Sequence, residues 1–155
     1  MTGDFLPFPA ADTLHAPPSW RCIDFISDLH LHAGLPRTAQ ALADYLSQTT
    51  ADAVMILGDL FEAWVGDDMR QSEFEAHCTS FLSAAGQRLS LGIMVGNRDF
   101  LLTSQFLQDI GVQPLSDPTL LRAWSRQAVL LTHGDALCLD DVAYQQFRAW
   151  TRNPA

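Results

Sequence analysis

Lysine is absent from this chain, and all nine of its basic residues are arginines. The 18 acidic residues bring the formal net charge to −9, which argues against a general nucleic-acid-binding surface. We therefore expect no nucleic-acid partner. An acidic protein can nevertheless bind a phosphate ester where metal ions reverse the local electrostatic field.

Cysteines and long apolar runs are also scarce. The three cysteines, at positions 22, 78 and 138, form no CxxC motif and no complete disulfide framework, which favours a reducing cytosol. No apolar run approaches the ~18 residues of a membrane span. The start of the chain lacks the basic and apolar regions of a secretory signal. With 155 residues, 48% hydrophobic and 17% charged, the composition predicts one globular domain.

The prolines divide the chain into two parts. Four of the eight fall within residues 1–20, which predicts an irregular leader there and a folded domain over 21–155. Apolar runs predict strands at 22–27, 53–57, 89–95, 120–124 and 128–132, the last two as a hairpin. Helical spacing predicts helices at 36–48, 73–85, 100–110 and from 141 onwards. This alternation is typical of the α/β class, with parallel βαβ units.

Polar residues follow four of the predicted strands directly: Asp28 and His30, Asp59, Asn97, and His133. The carboxyl ends of strands in an open α/β sheet line one crevice, so we expect these side chains to meet there. Each short motif alone is also typical of a turn or a helix cap, but their joint occurrence favours a metal site. Mixed Asp, His and Asn ligands suit Mn²⁺, Fe²⁺ or Zn²⁺ better than Ca²⁺.

This ligand set is suited to two-metal phosphoester chemistry. The carboxylate of Asp59 can bridge two cations, and two ions about 3.5–4 Å apart would activate water and neutralise phosphate oxygens. Arg98 is placed to hold a phosphate through paired hydrogen bonds, which makes it, with Asp59, a candidate catalytic residue. Asp99 and Asp135 are candidates for groups that orient the metal ligands or their loops.

Four blocks of the sequence resemble those of the calcineurin-like metallophosphoesterases: Asp28-Leu29-His30, Gly58-Asp59, Gly96-Asn97 and His133-Gly134. The resemblance implies the metallophosphoesterase sandwich, here incomplete. Arg98 stands where that superfamily usually has a histidine. This difference, with the long blocks at 56–68 and 96–102, narrows the resemblance to the UDP-2,3-diacylglucosamine diphosphatase family of lipid A biosynthesis, from about Ile23 to the last residue.

The resemblance implies a particular assignment of metal ligands. One Mn²⁺ would be held by Asp28, His30 and Asp59. Asp59 would bridge to a second Mn²⁺, which Asn97 and His133 would hold.

The resemblance also implies a substrate, UDP-2,3-diacylglucosamine. Asn97 and Arg98 would contact its diphosphate, and Asp141 its glucosamine part. Hydrolysis at the α-phosphorus would release UMP and 2,3-diacylglucosamine 1-phosphate (lipid X). Because the substrate carries acyl chains, the enzyme would work as a peripheral protein at the cytoplasmic face of the inner membrane.

One block of the superfamily, Gly-His-x-His, has no counterpart after His133. We therefore expect 21–155 to be the N-terminal part of the domain, in a chain truncated at its C-terminus. Either the sequence is a fragment of a longer protein, or the gene ends here. In the second case we expect a cytoplasmic protein with weak metal retention and little activity. Two other functions stay open: another metallophosphoesterase, or an inactive binding scaffold.

Overall fold

The computed structural model describes residues 10–123 and 128–152. Seven strands lie within these residues: β1 (Asp12–His15), β2 (Ile23–Ile26), β3 (Ala53–Leu57), β4 (Ser90–Met94), β5 (Gln113–Leu115), β6 (Thr119–Arg122) and β7 (Ala128–Leu131). Four α-helices accompany them: α1 (Pro36–Gln48), α2 (Glu73–Arg88), α3 (Ser104–Asp109) and α4 (Val142–Thr151). Two short 3₁₀ helices cover Asp67–Gln71 and Asp135–Leu137.

A four-stranded parallel sheet forms the centre of the fold, in the order β2-β3-β4-β5. Helices α1, α2 and α3 connect its successive strands. The predicted α/β class and parallel βαβ units are therefore confirmed. Because all four strands are parallel and adjacent, their carboxyl ends share one edge of the sheet.

A second sheet has the order β1-β6-β7, with β1 parallel to β6 and β6 antiparallel to β7. Its first strand, Asp12–His15, lies inside the segment predicted to be irregular, so that prediction is wrong for these residues. No proline falls between positions 10 and 16, which leaves the backbone free to pair with Thr119–Arg122. The fold therefore begins before position 21.

Two apolar layers cover the faces of the parallel sheet. One layer packs the sheet against the helices and includes Ile56, Leu82, Ile93 and Phe106. The other includes residues of both sheets: Trp20, Met55, Met94, Leu121 and Leu131. This arrangement of helices, parallel sheet and second sheet is consistent with part of the metallophosphoesterase sandwich.

Some element boundaries differ from the predicted ones. Helix α3 begins at Ser104 instead of 100, because the side chain of Thr103 caps it by accepting a hydrogen bond from Phe106 N–H. The short strand β5 contains Pro114 and was not predicted. Trp124 and the predicted hairpin turn at 125–127 lie outside the described residues.

Among the described helices, none has the length and apolar character needed to cross a bilayer.

Phe106 tests the packing of the helical layer. Its side chain is buried and its ring centroid lies 5.2 Å from that of Trp64. We expect Phe106→Ala to lower the free energy of unfolding by about 3–5 kcal/mol, measured by urea denaturation. Phe25→Ala is the matched control, because Phe25 is 47% exposed, and we expect it to change stability by less than about 1 kcal/mol. Equal losses in the two variants would contradict this packing.

Candidate metal centre

The loops that follow β2 and β3 stay paired beyond the ends of the strands. Three backbone hydrogen bonds join them: Asp28 N–H to Gly58 O (3.1 Å), His30 N–H to Asp59 O (3.0 Å) and Leu31 N–H to Leu60 O (2.8 Å). The predicted ligands Asp28, His30 and Asp59 are thereby held side by side. Their positions follow from the pairing of the two chain segments, before any metal is considered.

These three ligands share an uncommon backbone conformation. Their φ angles are +55° at Asp28, +48° at His30 and +52° at Asp59, and within the described residues they are the only non-glycine residues with positive φ. The left-handed region costs a non-glycine residue on the order of 1–2 kcal/mol. Such strain gathers at functional sites, where the surrounding structure holds it in place.

Donor atoms converge on the carboxylate of Asp59. Ligand atoms of Asp28, Asp59 and His133 all lie within 4.8 Å of one another. Nε2 of His30 is 3.8 Å from Asp59 Oδ2, and Nε2 of His133 is 3.7 Å from Asp59 Oδ1. Each carboxylate oxygen of Asp59 thus faces a different imidazole, which is the arrangement that a bridging ligand needs.

The hydrogen bonds of His133 direct its Nε2 towards an oxygen atom of Asn97. Its Nδ1 lies 3.0 Å from Leu57 O, and since a carbonyl oxygen only accepts, Nδ1 carries the proton. In the neutral ring Nε2 is then unprotonated, yet it lies 3.0 Å from Oδ1 of Asn97, another acceptor. A divalent cation beside these two atoms could accept both lone pairs, so the contact fits a metal site.

His30 repeats this pattern on the other side of Asp59. Its Nδ1 lies 3.0 Å from Oε2 of Glu62, so Nε2 presents its lone pair towards Asp59 Oδ2 and, at 4.0 Å, Asp28 Oδ1. The five predicted ligands therefore come together, and their chemistry fits divalent cations.

Glu62 was not predicted to belong to the site. The signal that could have found it is its position just beyond Asp59, in a loop that stays paired with the His30 loop.

Asp99 ties together the loops that carry the ligands. It is fully buried and accepts backbone hydrogen bonds from Gly96 (2.7 Å), Leu60 (2.8 Å) and Phe61 (3.3 Å). Burial raises the pKa of its carboxyl, and the nearby charge of Asp59 adds to this, although the three N–H donors oppose it. These contacts join the loop after β3 to the loop after β4, and the roles predicted for Asp99 stay predictions.

Gly96 allows the loop after β4 to approach Asp59 closely. The backbone N–H of Arg98 donates to Asp59 Oδ1 at 2.9 Å. A Cβ atom at position 96 would collide with Oδ1, Cγ and the backbone nitrogen of Asp59. Glycine is therefore needed at this position for Asp59 to hold its orientation.

The predicted substrate-binding residues lie in different surroundings. The side chain of Arg98 is 52% exposed, and its Nη1 is 3.2 Å from Oε1 of Glu62, so it stands at the rim of the ligand cluster. Asp141 is exposed at the start of α4, where its Oδ1 accepts a hydrogen bond from Tyr144 N–H at 3.0 Å. That contact is a helix cap, and the substrate role of Asp141 stays a prediction.

Asp135 connects the site to α4. This buried carboxylate accepts from the hydroxyl of Tyr144, from Arg148 Nε at 3.0 Å, and pairs with Arg152 Nη2 at 3.2 Å. Arg152 also donates to Gly96 O at 2.7 Å. Burial opposes ionisation of Asp135, but the hydrogen bond from Tyr144 and the two guanidinium groups outweigh it and lower its pKa. The described contacts of Asp135 therefore anchor α4, and a ligand-orienting role stays a prediction.

Comparison with known proteins found close sequence relatives, whereas no family model matches the chain. A protein of Chromobacterium violaceum named UDP-2,3-diacylglucosamine hydrolase is 49% identical over 134 residues, which cover 85% of this chain and 56% of the relative. Proteins of the same name from Xanthomonas campestris pv. campestris and Stenotrophomonas maltophilia are each 44% identical over 133 residues, 84% of this chain and 53% of the relative. The resemblance that the motifs predict is confirmed. The chain spans about half the length of these curated relatives.

Gly96→Ala tests the close approach of the two ligand-bearing loops. We expect the added methyl group to displace the Asp59 carboxylate and to weaken Mn²⁺ binding about tenfold or more, measured by calorimetric titration. Gly34→Ala is the control, because a Cβ there meets only the movable ring of His32. An Mn²⁺ affinity of the Gly96 variant equal to that of the control would contradict this geometry.

Asp135→Asn tests the anchoring of α4. The substitution keeps the size of the side chain but removes the charge that faces Arg148 and Arg152. We expect the free energy of unfolding to fall by about 1.5–3 kcal/mol, as for the loss of a hydrogen bond to a charged group, measured by urea denaturation. Asp140→Asn, at an exposed position, should be near neutral. Equal stabilities of the two variants would show that Asp135 does not anchor the helix.

Proposed function

We propose that this chain carries the metal-binding part of a hydrolase that cleaves the diphosphate of UDP-2,3-diacylglucosamine, with UMP and 2,3-diacylglucosamine 1-phosphate as products. The observation that carries the proposal is the convergence of two imidazole Nε2 atoms, those of His30 and His133, on the two oxygens of Asp59. The proposed substrate is supported by the name that the relatives at 44–49% identity carry. The hydrolysis would serve lipid A biosynthesis.

The cofactor of this proposal is a pair of Mn²⁺ ions. Asp28, His30 and Asp59 would hold one ion, and Asp59, Asn97 and His133 the other. Bound divalent cations would supply positive charge that neutralises phosphate oxygens and makes water nucleophilic. The mixed carboxylate, imidazole and amide donors support Mn²⁺, and they differ from the all-oxygen cages typical of Ca²⁺.

The residues beside the ligands would bind and orient the diphosphate. The exposed guanidinium of Arg98 can donate two parallel hydrogen bonds to one phosphate group. Asn97 would add an amide contact from the neighbouring position, and Asp141 would accept hydrogen bonds from the glucosamine part. The carboxylate of Asp59, with one oxygen towards each imidazole, would contribute to holding both cations.

The acyl chains of the substrate suggest the place of action. We propose a peripheral protein at the cytoplasmic face of the inner membrane, which reaches the lipid by binding its substrate at the bilayer surface. Large apolar side chains on and before α4 are exposed and support contact with an apolar partner: Leu137, Leu139, Val142, Phe147 and Trp150.

A substrate comparison tests the proposed activity. The Mn²⁺-loaded chain should release UMP from UDP-2,3-diacylglucosamine in detergent micelles faster than it hydrolyses an aryl phosphate. Arg98→Ala should lower the rate on the lipid about 10²–10³-fold, because a group that stabilises charge on the diphosphate is removed. Arg37→Ala, exposed in the first turn of α1, is the matched control. Faster turnover of the aryl phosphate would favour another metallophosphoesterase activity and overturn the assignment.

A further inference from the structure

We propose that Glu62 is a positioning residue that serves both the metal ligand His30 and the phosphate-binding Arg98; this inference rests on the proposed function. Its carboxylate lies between the two side chains. Oε2 is 3.0 Å from Nδ1 of His30, and Oε1 is 3.2 Å from Nη1 of Arg98. A single carboxylate thereby contacts both a predicted metal ligand, His30, and the predicted phosphate-binding residue, Arg98.

The backbone fixes the position from which Glu62 reaches these groups. Its N–H donates to Leu31 O at 3.1 Å, and Leu31 also pairs with Phe61 in an isolated parallel bridge. Leu31 and Phe61 are both buried, whereas the side chain of Glu62 is 43% exposed. The carboxylate therefore projects from a well-held backbone, directly beside the loop that carries His30.

The contact with His30 decides which ring nitrogen can bind a metal. An ionised carboxylate only accepts hydrogen bonds, so Nδ1 keeps the proton and Nε2 keeps a lone pair towards Asp59. A carboxylate behind a ligating imidazole also fixes the orientation of the ring. Without Glu62 both neutral tautomers are available, and only one of them directs a lone pair at the site.

The contact with Arg98 orients a long and exposed side chain. An ion pair between groups this exposed contributes little to the stability of the fold. Its role is to orient the guanidinium of Arg98. A guanidinium has five N–H donors, and directing Nη1 to Glu62 leaves the others for a phosphate. Glu62 thus holds Arg98 beside the ligand loop before substrate arrives, which reduces the entropy lost on binding.

Metal affinity gives the first test. With the whole chain and Mn²⁺ alone as the probe, calorimetric titration should show about 10–100-fold weaker binding for Glu62→Ala. Glu62→Gln should lie nearer to wild type, because its carbonyl oxygen can accept the same hydrogen bond from His30. Glu73→Gln, an exposed glutamate at the start of α2, is the control and should bind as wild type does. If Glu62→Gln binds Mn²⁺ no better than Glu62→Ala does, the hydrogen-bond argument is overturned.

A second variant separates this inference from the proposed function. Asp59→Ala should abolish Mn²⁺ binding. If it leaves the affinity unchanged, the proposed metal centre itself fails. If Asp59→Ala abolishes binding while Glu62→Ala matches the Glu73 control, the metal centre stands and the role of Glu62 is overturned.

The tautomer of His30 provides a readout that needs neither metal nor activity. Long-range ¹H–¹⁵N spectra of the metal-free chain should show the proton of His30 on Nδ1 in the wild type, and a mixture of both tautomers in Glu62→Ala. Unfolding by urea checks that both proteins are folded under the conditions of the spectra. An unchanged tautomer in a folded Glu62→Ala variant would overturn the proposal.

Phosphate binding tests the contact with Arg98. At saturating Mn²⁺, with inorganic phosphate as the probe, Glu62→Ala and Arg98→Ala should each weaken binding. If Glu62 acts through Arg98, the double variant should bind phosphate no more weakly than Arg98→Ala alone. Losses that add fully in the double variant would show that the two residues act independently and would overturn this half of the proposal.

Discussion

The pairing between the loops that follow β2 and β3 sets the geometry of the whole site. Parallel strands normally separate once their ladder ends, but here hydrogen bonds continue from Asp28 to Gly58 and from His30 to Asp59. Three of the predicted ligands in these paired loops, Asp28, His30 and Asp59, adopt the left-handed region of backbone conformation. A buried sheet with apolar residues on both faces provides the rigidity that holds such strain.

The remaining parts of the site extend this constraint to the other strands. Asp99 joins the loop after β3 to the loop after β4 through three backbone N–H groups. His133 is held from the β3 side by its hydrogen bond to Leu57 O. Oxygen atoms and imidazole lone pairs consequently face one another at 3.0–3.8 Å around Asp59. Carboxylate, amide and imidazole acceptors grouped in this way are suited to binding divalent cations.

Much of this could be predicted from the sequence, because three of the four central strands, β2, β3 and β4, are short and mostly apolar runs that polar ligand residues follow closely. Ala53–Leu57 is the clearest case, since four of its five residues are buried and a strand covered on both faces has no polar alternation to obscure it. Strand β1 was missed because its four residues have a mixed composition and depend on a partner more than 100 positions away. Glu62, Arg148 and Arg152 were missed for a similar reason: their contacts arise from loop pairing and helix docking, which leave no periodic pattern in the chain.

Topology brings five donor groups together around the carboxylate of Asp59, and we propose that they hold a pair of cations. Anomalous X-ray scattering at the manganese absorption edge, from crystals grown with Mn²⁺, tests it most directly. We expect two anomalous peaks near the Asp59 carboxylate, one beside Asp28 and His30 and the other beside Asn97 and His133. Crystals that contain ordered manganese only at sites remote from Asp59 would contradict it.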